Sequence, residues 1–258
     1  PIGNGIGIFR IKMAFNFELK KNLLQAILIF LGVGLCLLSV NATADHGKET
    51  WITAQESIVV VNPTWPGYAK PGFGAPPGTA PAGAGFYYSV NNGKTSPYII
   101  TAAHVVKKAK SIEIINFSGE KAEAVLHAFD EQRDIAVLRT NLYGRSIEIN
   151  IEKPEIGSHV CAIGNSFGLG TSITCGIVSA LNRRNIGINM IEDFIQTDAA
   201  VNPGMSGGAL VDPYGRLIGV VDAIFTKTAD IDAGVNFAIS VALLSASIDA
   251  HIKAGIKF

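Results

Sequence analysis

The stretch Gln196–Leu210, QTDAAVNPGMSGGAL, sets Ser206 among glycines at the mouth of a short apolar strand, Ala209–Val211. A serine hydroxyl is a poor nucleophile until a neighbouring base takes its proton. Gly204, Gly207 and Gly208 let the backbone adopt angles that a Cβ would obstruct. That freedom can turn the amides of Gly204 and Ser206 toward one point, an oxyanion hole, where one donor lowers a barrier by roughly 2.7–4 kcal/mol. Glycines around a serine alone mark only a tight bend. The stretch gains its meaning from two others upstream.

The first is Thr101–Val106, TAAHVV, where an apolar strand stops and His104 follows two alanines. The second is DIAVL, with Asp134 at the entrance of another apolar strand. In one cleft, His104 would take the Ser206 proton and return it to a leaving amine, while Asp134 would fix the imidazole tautomer. Asp130, in the turn FDEQR, competes for that last role, but an acid at a strand entrance is held more firmly. The chain order His, Asp, Ser excludes an α/β hydrolase, which places its serine first and its histidine last on a βαβ frame.

Around these elements the chain is punctuated by turns. Ser57–Val61, Gly85–Val90, Tyr98–Thr101, Ser111–Asn116, Ala122–Ala128 and Ile135–Arg139 read as strands. His159–Ile163, Ile173–Ala180, Phe194–Thr197, Ala209–Val211, Leu217–Val221 and Phe237–Ile239 continue the rhythm. Little helix separates them, which predicts an all-β body of antiparallel barrels or sandwiches. The strands divide evenly about Asn141–Pro154, suggesting an N-terminal half over 45–150 and a C-terminal half over 151–258. The segment 62–85, rich in Pro, Gly and Ala, predicts a long surface loop with no ladder. Val241, Leu244, Ile248 and Ile252 are spaced for one amphipathic helix over Val241–Ala254.

Composition narrows the classes further. Of the 258 residues 48% are hydrophobic, which supports a sizeable core and excludes a disordered chain. Formal net charge is zero, with 21 basic and 21 acidic residues, so nothing favours nucleic acid as a partner. His46, His127, His159 and His251 have no carboxylate or Cys at ligand spacing, so neither a metal nor another cofactor is expected. Trp51, Trp65, Tyr87 and Tyr88 could contact peptide, although packing explains them as well.

At the N-terminus, Lys20-Lys21, the uncharged run Leu23–Val40 and Asn41-Ala42-Thr43-Ala44 form the three parts of a secretory signal, with cleavage after Ala44. Residues 1–44 are thus upstream residues plus signal, with Met13 a candidate start. The alternative is an uncleaved anchor, since the run nears spanning length; only then would a membrane be a partner. Either route exports the body to the periplasm or beyond. Cys36 would leave with the signal, and Leu35 before it disfavours lipid attachment. Cys161 and Cys175 remain as an even pair in an oxidising compartment, bridged or as two buried thiols.

Together these residues resemble the trypsin-like serine proteases, and within them the HtrA/Deg branch. The similarity rests on Gly83-Ala84-Gly85-Phe86, TAAHVV, DIAVL, AIGNSFGLG over Ala162–Gly170, GIVSAL over Gly176–Leu181, QTDAAVNPGMSGGALVD and NFAIS over Asn236–Ser240. It implies two six-stranded chymotrypsin-like barrels with His104 and Asp134 from the first and Ser206 from the second. Trypsin-like activation by a new N-terminus is not expected, because Met205 stands where the acidic partner of that amine belongs; Asp198 could organise the loop instead. Peptide sensing through the PDZ domains of many members is not expected, and TAAH replaces their commoner TNNH. The proline-rich first loop leaves trimerisation open. Ala200 falls at the base of the primary specificity pocket, with Val235 and Phe237 as walls, implying cleavage of unfolded proteins or peptides after small or aliphatic residues. The contrasting expectation is a catalytically silent peptide-binding or chaperone-like module on the same fold.

Overall fold

A computed structural model of the chain describes Lys21 and residues 23–25, 46–64, 82–224 and 234–258. It divides into two compact units, Pro1–Asp45 and His46–Phe258. In the first unit the described residues are helical and exposed, and the expected cleavage site at Ala44 lies outside them. Among the described residues no helix is long and apolar enough to cross a membrane.

In the second unit, helix α1 (His46–Ala54) and a short 3-10 turn lead into β1 (Ile58–Thr64), β2 (Gly83–Tyr88) and β3 (Thr95–Ala102). The one-turn helix α2 (Ala103–Val106) precedes β4 (Ser111–Ile115), β5 (Lys121–Asp130) and β6 (Ile135–Arg145). These six strands close into a barrel in the order β1-β2-β3-β6-β5-β4. A second barrel, β10-β11-β12-β9-β8-β7, is built from β7 (His159–Gly164), β8 (Ser172–Arg183), β9 (Phe194–Thr197), β10 (Ala209–Val211), β11 (Leu217–Ile224) and β12 (Asn236–Ser240). Helix α3 (Val241–Lys253) follows, its N-terminus capped by the Ser240 side chain. The fold is therefore the all-β double barrel that the resemblance implied, where the strand rhythm alone allowed barrels or sandwiches.

Alternation along the strands builds three apolar layers. Val59, Val61, Tyr87, Ile99, Ile112 and Leu138 fill the first barrel. Val160, Ala162, Ile195, Leu210 and Ile218 fill the second. The residues between them in sequence, such as Ile58, Phe86 and Ile100, face outward into a shared layer with Ile163, Val220, Ile239, Leu244 and Ile248. Each large side chain in that layer contributes about 1.5–3 kcal/mol on burial, so the layer joins the barrels to each other and to α3. Ser247 of α3 adds a buried hydrogen bond to Asp130 at the end of β5, 2.7 Å.

Several boundaries differ from the sequence reading. The segment 62–85 is not loop throughout: residues 62–64 belong to β1 and residues 83–85 to β2, while 65–81 and Trp65 lie outside the described residues. Pro63 pairs with Ile112 of β4 beyond the last β2 partner of β1, where only one side of the strand is laddered. A missing N–H is tolerated there. β6 continues through Asn141 to Arg145, because Ser96 and Thr95 of β3 offer it partners as far as Gly144 and Arg145. Helix α1, not anticipated from sequence, is tied down by buried Thr50, whose hydroxyl donates to Pro213 O at 2.9 Å. Ile252 is exposed, since α3 is near its end there. Tyr87 and Tyr88 are buried in the core and Trp51 stacks edge-on against Phe117, which fits packing.

Cys161 and Cys175 stand directly opposite each other on β7 and β8 and are joined by a disulfide. With a sequence separation of 14, closing this loop restricts the unfolded chain and contributes about 3 kcal/mol on the chain-entropy argument. The double variant Cys161→Ala/Cys175→Ala should lower the urea midpoint by a corresponding amount, with the slope little changed. An unaltered midpoint would mean that the β7–β8 ladder alone holds these strands.

Candidate active site

His104 lies in α2, at the point where β3 turns away from its ladder. Asp134 closes the turn before β6 in the left-handed region, φ 55°, a conformation that Asp tolerates better than most residues. From there it holds α2 by three hydrogen bonds. Its carbonyl accepts the Ala103 N–H at 3.1 Å. Its Oδ1 accepts the His104 N–H at 2.7 Å, and its Oδ2 the His104 Nδ1–H at 2.5 Å. This pairing places the ring proton on Nδ1 and leaves Nε2 free to accept one. Partial desolvation of the half-exposed imidazole pushes its pKa down, but the hydrogen bond and charge of Asp134, together with the charge of Asp222, raise it above the ordinary histidine value.

Asp130 is engaged elsewhere. Its carboxylate accepts from Arg133 Nη1 at 2.8 Å and from the Ser247 hydroxyl at 2.7 Å. Burial alone would push its pKa up, yet these bonds hold it below the ordinary carboxylate value. It fixes the turn that carries Asp134 and contacts no part of the imidazole.

The Ser206 loop is clamped between barrels. Its carbonyl accepts the Ala84 N–H of β2 at 2.9 Å, and the Ala84 carbonyl in turn accepts the buried Thr101 hydroxyl at 2.7 Å. Gly207, at φ 84°, lies so close that a Cβ would fall 2.4 Å from both Ala84 O and Thr101 Oγ1. The Ser206 hydroxyl donates to the Asp222 carbonyl at 3.1 Å. Among the described residues no hydrogen bond joins Ser206 to His104, so attack requires the Ser206 side chain to rotate about χ1.

One peptide unit decides which way the Gly204 amide faces. Phe167 N–H donates to Pro203 O at 2.6 Å. The Pro203–Gly204 bond is trans, so the Gly204 N–H points the opposite way from that carbonyl. Among the described residues neither the Gly204 nor the Ser206 amide meets an acceptor. Gly204 needs φ 96°, and a Cβ there would lie 2.2 Å from Asn165 O. Met205 is fully buried in the second barrel as an apolar plug. Asp198 accepts the Ile177 N–H at 2.7 Å and so ties the start of the loop to β8.

Ala200 is half-buried, its carbonyl held by Thr174 at 2.6 Å. Ala199 and Val201 on either side pack with Ala238, whereas Phe237 stacks on Phe194, ring centroids 5.7 Å apart, in the layer that also receives Val235. From β12, Asn236 donates to Ala199 O at 2.9 Å and Ala238 packs in the same layer as Ala199 and Val201.

Asp222 is the residue that the sequence reading missed. It lies buried on β11, and metal-capable atoms of His104, Asp134 and Asp222 all come within 4.8 Å of one another. Hydrogen bonding accounts for this closeness without an ion: Asp134 occupies Nδ1 of His104, and Asn189 Nδ2 donates to Asp222 Oδ2 at 2.7 Å. The available signal was an acid inside the otherwise apolar run Leu217–Ile224.

Residues 83–220 match the family model of the trypsin-like peptidase domain. The chain belongs to the trypsin-like peptidases. Its relatives lie in the HtrA/Deg branch of this family. It is 41% identical over 63% of its length to "Probable periplasmic serine endoprotease DegP-like" of Buchnera aphidicola subsp. Baizongia pistaciae, covering 35% of that protein. It is 40% identical over 61% of its length to "Serine endoprotease DegS" of Escherichia coli K12, covering 46% of it. This trypsin-like peptidase thus spans a third to a half of the curated relatives it matches. Among solved structures it is similar to the HtrA-type protease AlgW with tripeptide, with TM-score 0.70 and 33% identity over 81% of this chain and 64% of that one. The serine endoprotease from Yersinia pestis gives TM-score 0.62 and 34% identity, with 81% and 67% covered.

The His104–Asp134 pairing can be tested without substrate. The imidazole should titrate above about 6.5, the ordinary histidine value, and Asp134→Asn should lower its pKa. Because protonation is favoured in the fold, this pair's contribution to stability is fully present below the unfolded histidine value. It is lost as pH rises through the folded one. Histidine NMR titration of both proteins measures the shift; equal values would deny the pairing its electrostatic role.

Proposed function

We propose that this protein is an exported serine endopeptidase in which His104, Asp134 and Ser206 hydrolyse peptide bonds of unfolded or damaged proteins. The observation that carries this reading is the doubly anchored His104, with Nε2 free, beside a serine loop whose Gly204 and Ser206 amides are unspent. Ser206 Oγ would rotate from the Asp222 carbonyl toward His104, lose its proton to Nε2 and attack the scissile carbonyl. The oxyanion would settle on the Gly204 and Ser206 amides while Asp134 stabilises the imidazolium. His104 would then return the proton to the leaving amine, and water would release the acyl group by the same route. These steps need no cofactor.

The half-buried Ala200 offers no charge to a substrate side chain, which supports cleavage after small or aliphatic residues. Relatives named as periplasmic endoproteases, with the signal-like N-terminus, support a periplasmic site of action. Export past the membrane, rather than residence in it, follows if cleavage occurs after Ala44. The present orientation of Ser206 toward Asp222 is what a resting, peptide-holding form of the protein would share. That favours the silent module only if the rotation never happens.

A fluorophosphonate probe should label the wild type and not Ser206→Ala, and casein cleavage should follow labelling. Asp134→Asn should reduce kcat by a factor on the order of 10⁴ through loss of the correct tautomer. A peptide library should show small or aliphatic residues on the acyl side of the cut. Absence of Ser206-dependent labelling with unfolded substrate present would hand the site to the silent module.

A further inference from the structure

Asp222 has no part in the three-residue mechanism, yet it lies beside all of it. Its backbone carbonyl receives the Ser206 hydroxyl at 3.1 Å. Oxygens of its carboxyl and of Asp134, and a ring nitrogen of His104, lie within 4.8 Å of one another. From the loop between β8 and β9, Asn189 donates to its Oδ2 at 2.7 Å. The groups that face it among the described residues are therefore one carboxylate, one imidazole and one neutral amide.

Two buried carboxyl groups this close cannot both ionise cheaply, which favours a proton kept by one of them. Which one does so follows from their partners. Asp134 is surrounded by donors, with the His104 N–H and Nδ1–H on its two oxygens, so it is best served as an anion. Asp222 is buried on an apolar strand, and among the described residues the one donor bonded to its carboxyl is the Asn189 amide. Burial first, and the neighbouring Asp134 charge second, push the Asp222 pKa well above the ordinary carboxylate range.

We propose that Asp222 is a positioning residue whose protonated carboxyl donates a hydrogen bond to Asp134, fixing the carboxylate that orients His104, and whose ionisation at higher pH disables the site. No bond to substrate is involved: the only event is loss of one proton from Asp222 to solvent. The resulting second negative charge repels Asp134 and removes the donor that held it. It also favours the imidazolium over the neutral base. Activity then has two limbs, an acid limb set by His104 and an alkaline limb set by Asp222. This inference rests on the proposed peptidase reading, but its physical core does not depend on turnover.

The decisive experiment combines kinetics with NMR on the exported body in wild type, Asp222→Asn and Asp222→Leu. Asparagine keeps a donor and cannot ionise; leucine keeps bulk and has no donor. The wild type should show a bell-shaped kcat/KM against pH, and Asp222→Asn should keep the acid limb and lose the alkaline one. Asp222→Leu should lose kcat on the order of 100-fold through misplacement of the imidazole, with KM little changed, and Asp222→Asn should lose far less. In parallel, the Asp222 carboxyl carbon should titrate on the alkaline side of His104, and His104 should give two steps in the wild type and one in Asp222→Asn. An alkaline limb unchanged by Asp222→Asn, or an Asp222 carboxyl already ionised below the histidine step, overturns the proposal. If labelling of Ser206 fails altogether, the peptidase reading falls, and the two titrations still decide whether Asp222 holds the proton.

Discussion

The whole site depends on how one carboxylate is held. Asp134 adopts a left-handed backbone so that its carbonyl and both side-chain oxygens face the same short helix. Three bonds from one residue leave α2 no freedom to turn, and the imidazole it carries inherits that rigidity. The arrangement is also directional. A single bond to Nδ1 would orient the ring but allow the helix to slide; the bond to the His104 amide removes that motion. Asp130 supports this from behind, with Arg133 and Ser247 making the preceding turn and α3 part of the same scaffold.

Opposite this fixed half stands one assembled by close approach. Ser206 is reached through Gly204 and Gly207, each at positive φ and each nearer to a neighbouring carbonyl than any side chain permits. The Phe167 amide bonds the Pro203 carbonyl, so the loop following β7 governs which way the Gly204 amide faces. Met205 needs no charged partner for this, because its side chain is anchored by burial in the second barrel. Shape here is stabilised by an apolar plug and two backbone bonds rather than by an ion pair. Such a loop responds to packing more than to charge.

Much of this was legible in the sequence because its signals were local. Strand alternation, the order of TAAHVV, DIAVL and GMSGGAL, and the Cys161–Cys175 spacing about one turn each point to a structure formed by near neighbours. Strand ends were misjudged where pairing outlasted the apolar pattern, as at Pro63 and at Asn141–Arg145, since a ladder depends on partners distant in sequence. Which face of β12 each of its residues occupies likewise follows from register with β9 and β11, strands distant in sequence. Asp222 escaped notice for a similar reason. An acid within a strand has no meaning until folding brings Asp134, Asn189 and the Ser206 hydroxyl around it.

Asp222 also explains why the loop between β8 and β9 is ordered about a charge of its own. Glu192 gathers the backbone amides of Ile186, Ile188 and Asn189. Burial would push its pKa up, but these bonds hold it below the ordinary glutamate value, so it remains an anion around which the loop can wrap. The wrapped loop presents the Asn189 amide to Asp222. An amide donor neither adds charge nor competes for the proton between the two aspartates, whereas a lysine there would draw Asp222 into the ionised form. A neutral partner is thus the one that leaves a single negative charge beside His104. That is the charge state in which Asp134 can be both buried and fully hydrogen-bonded.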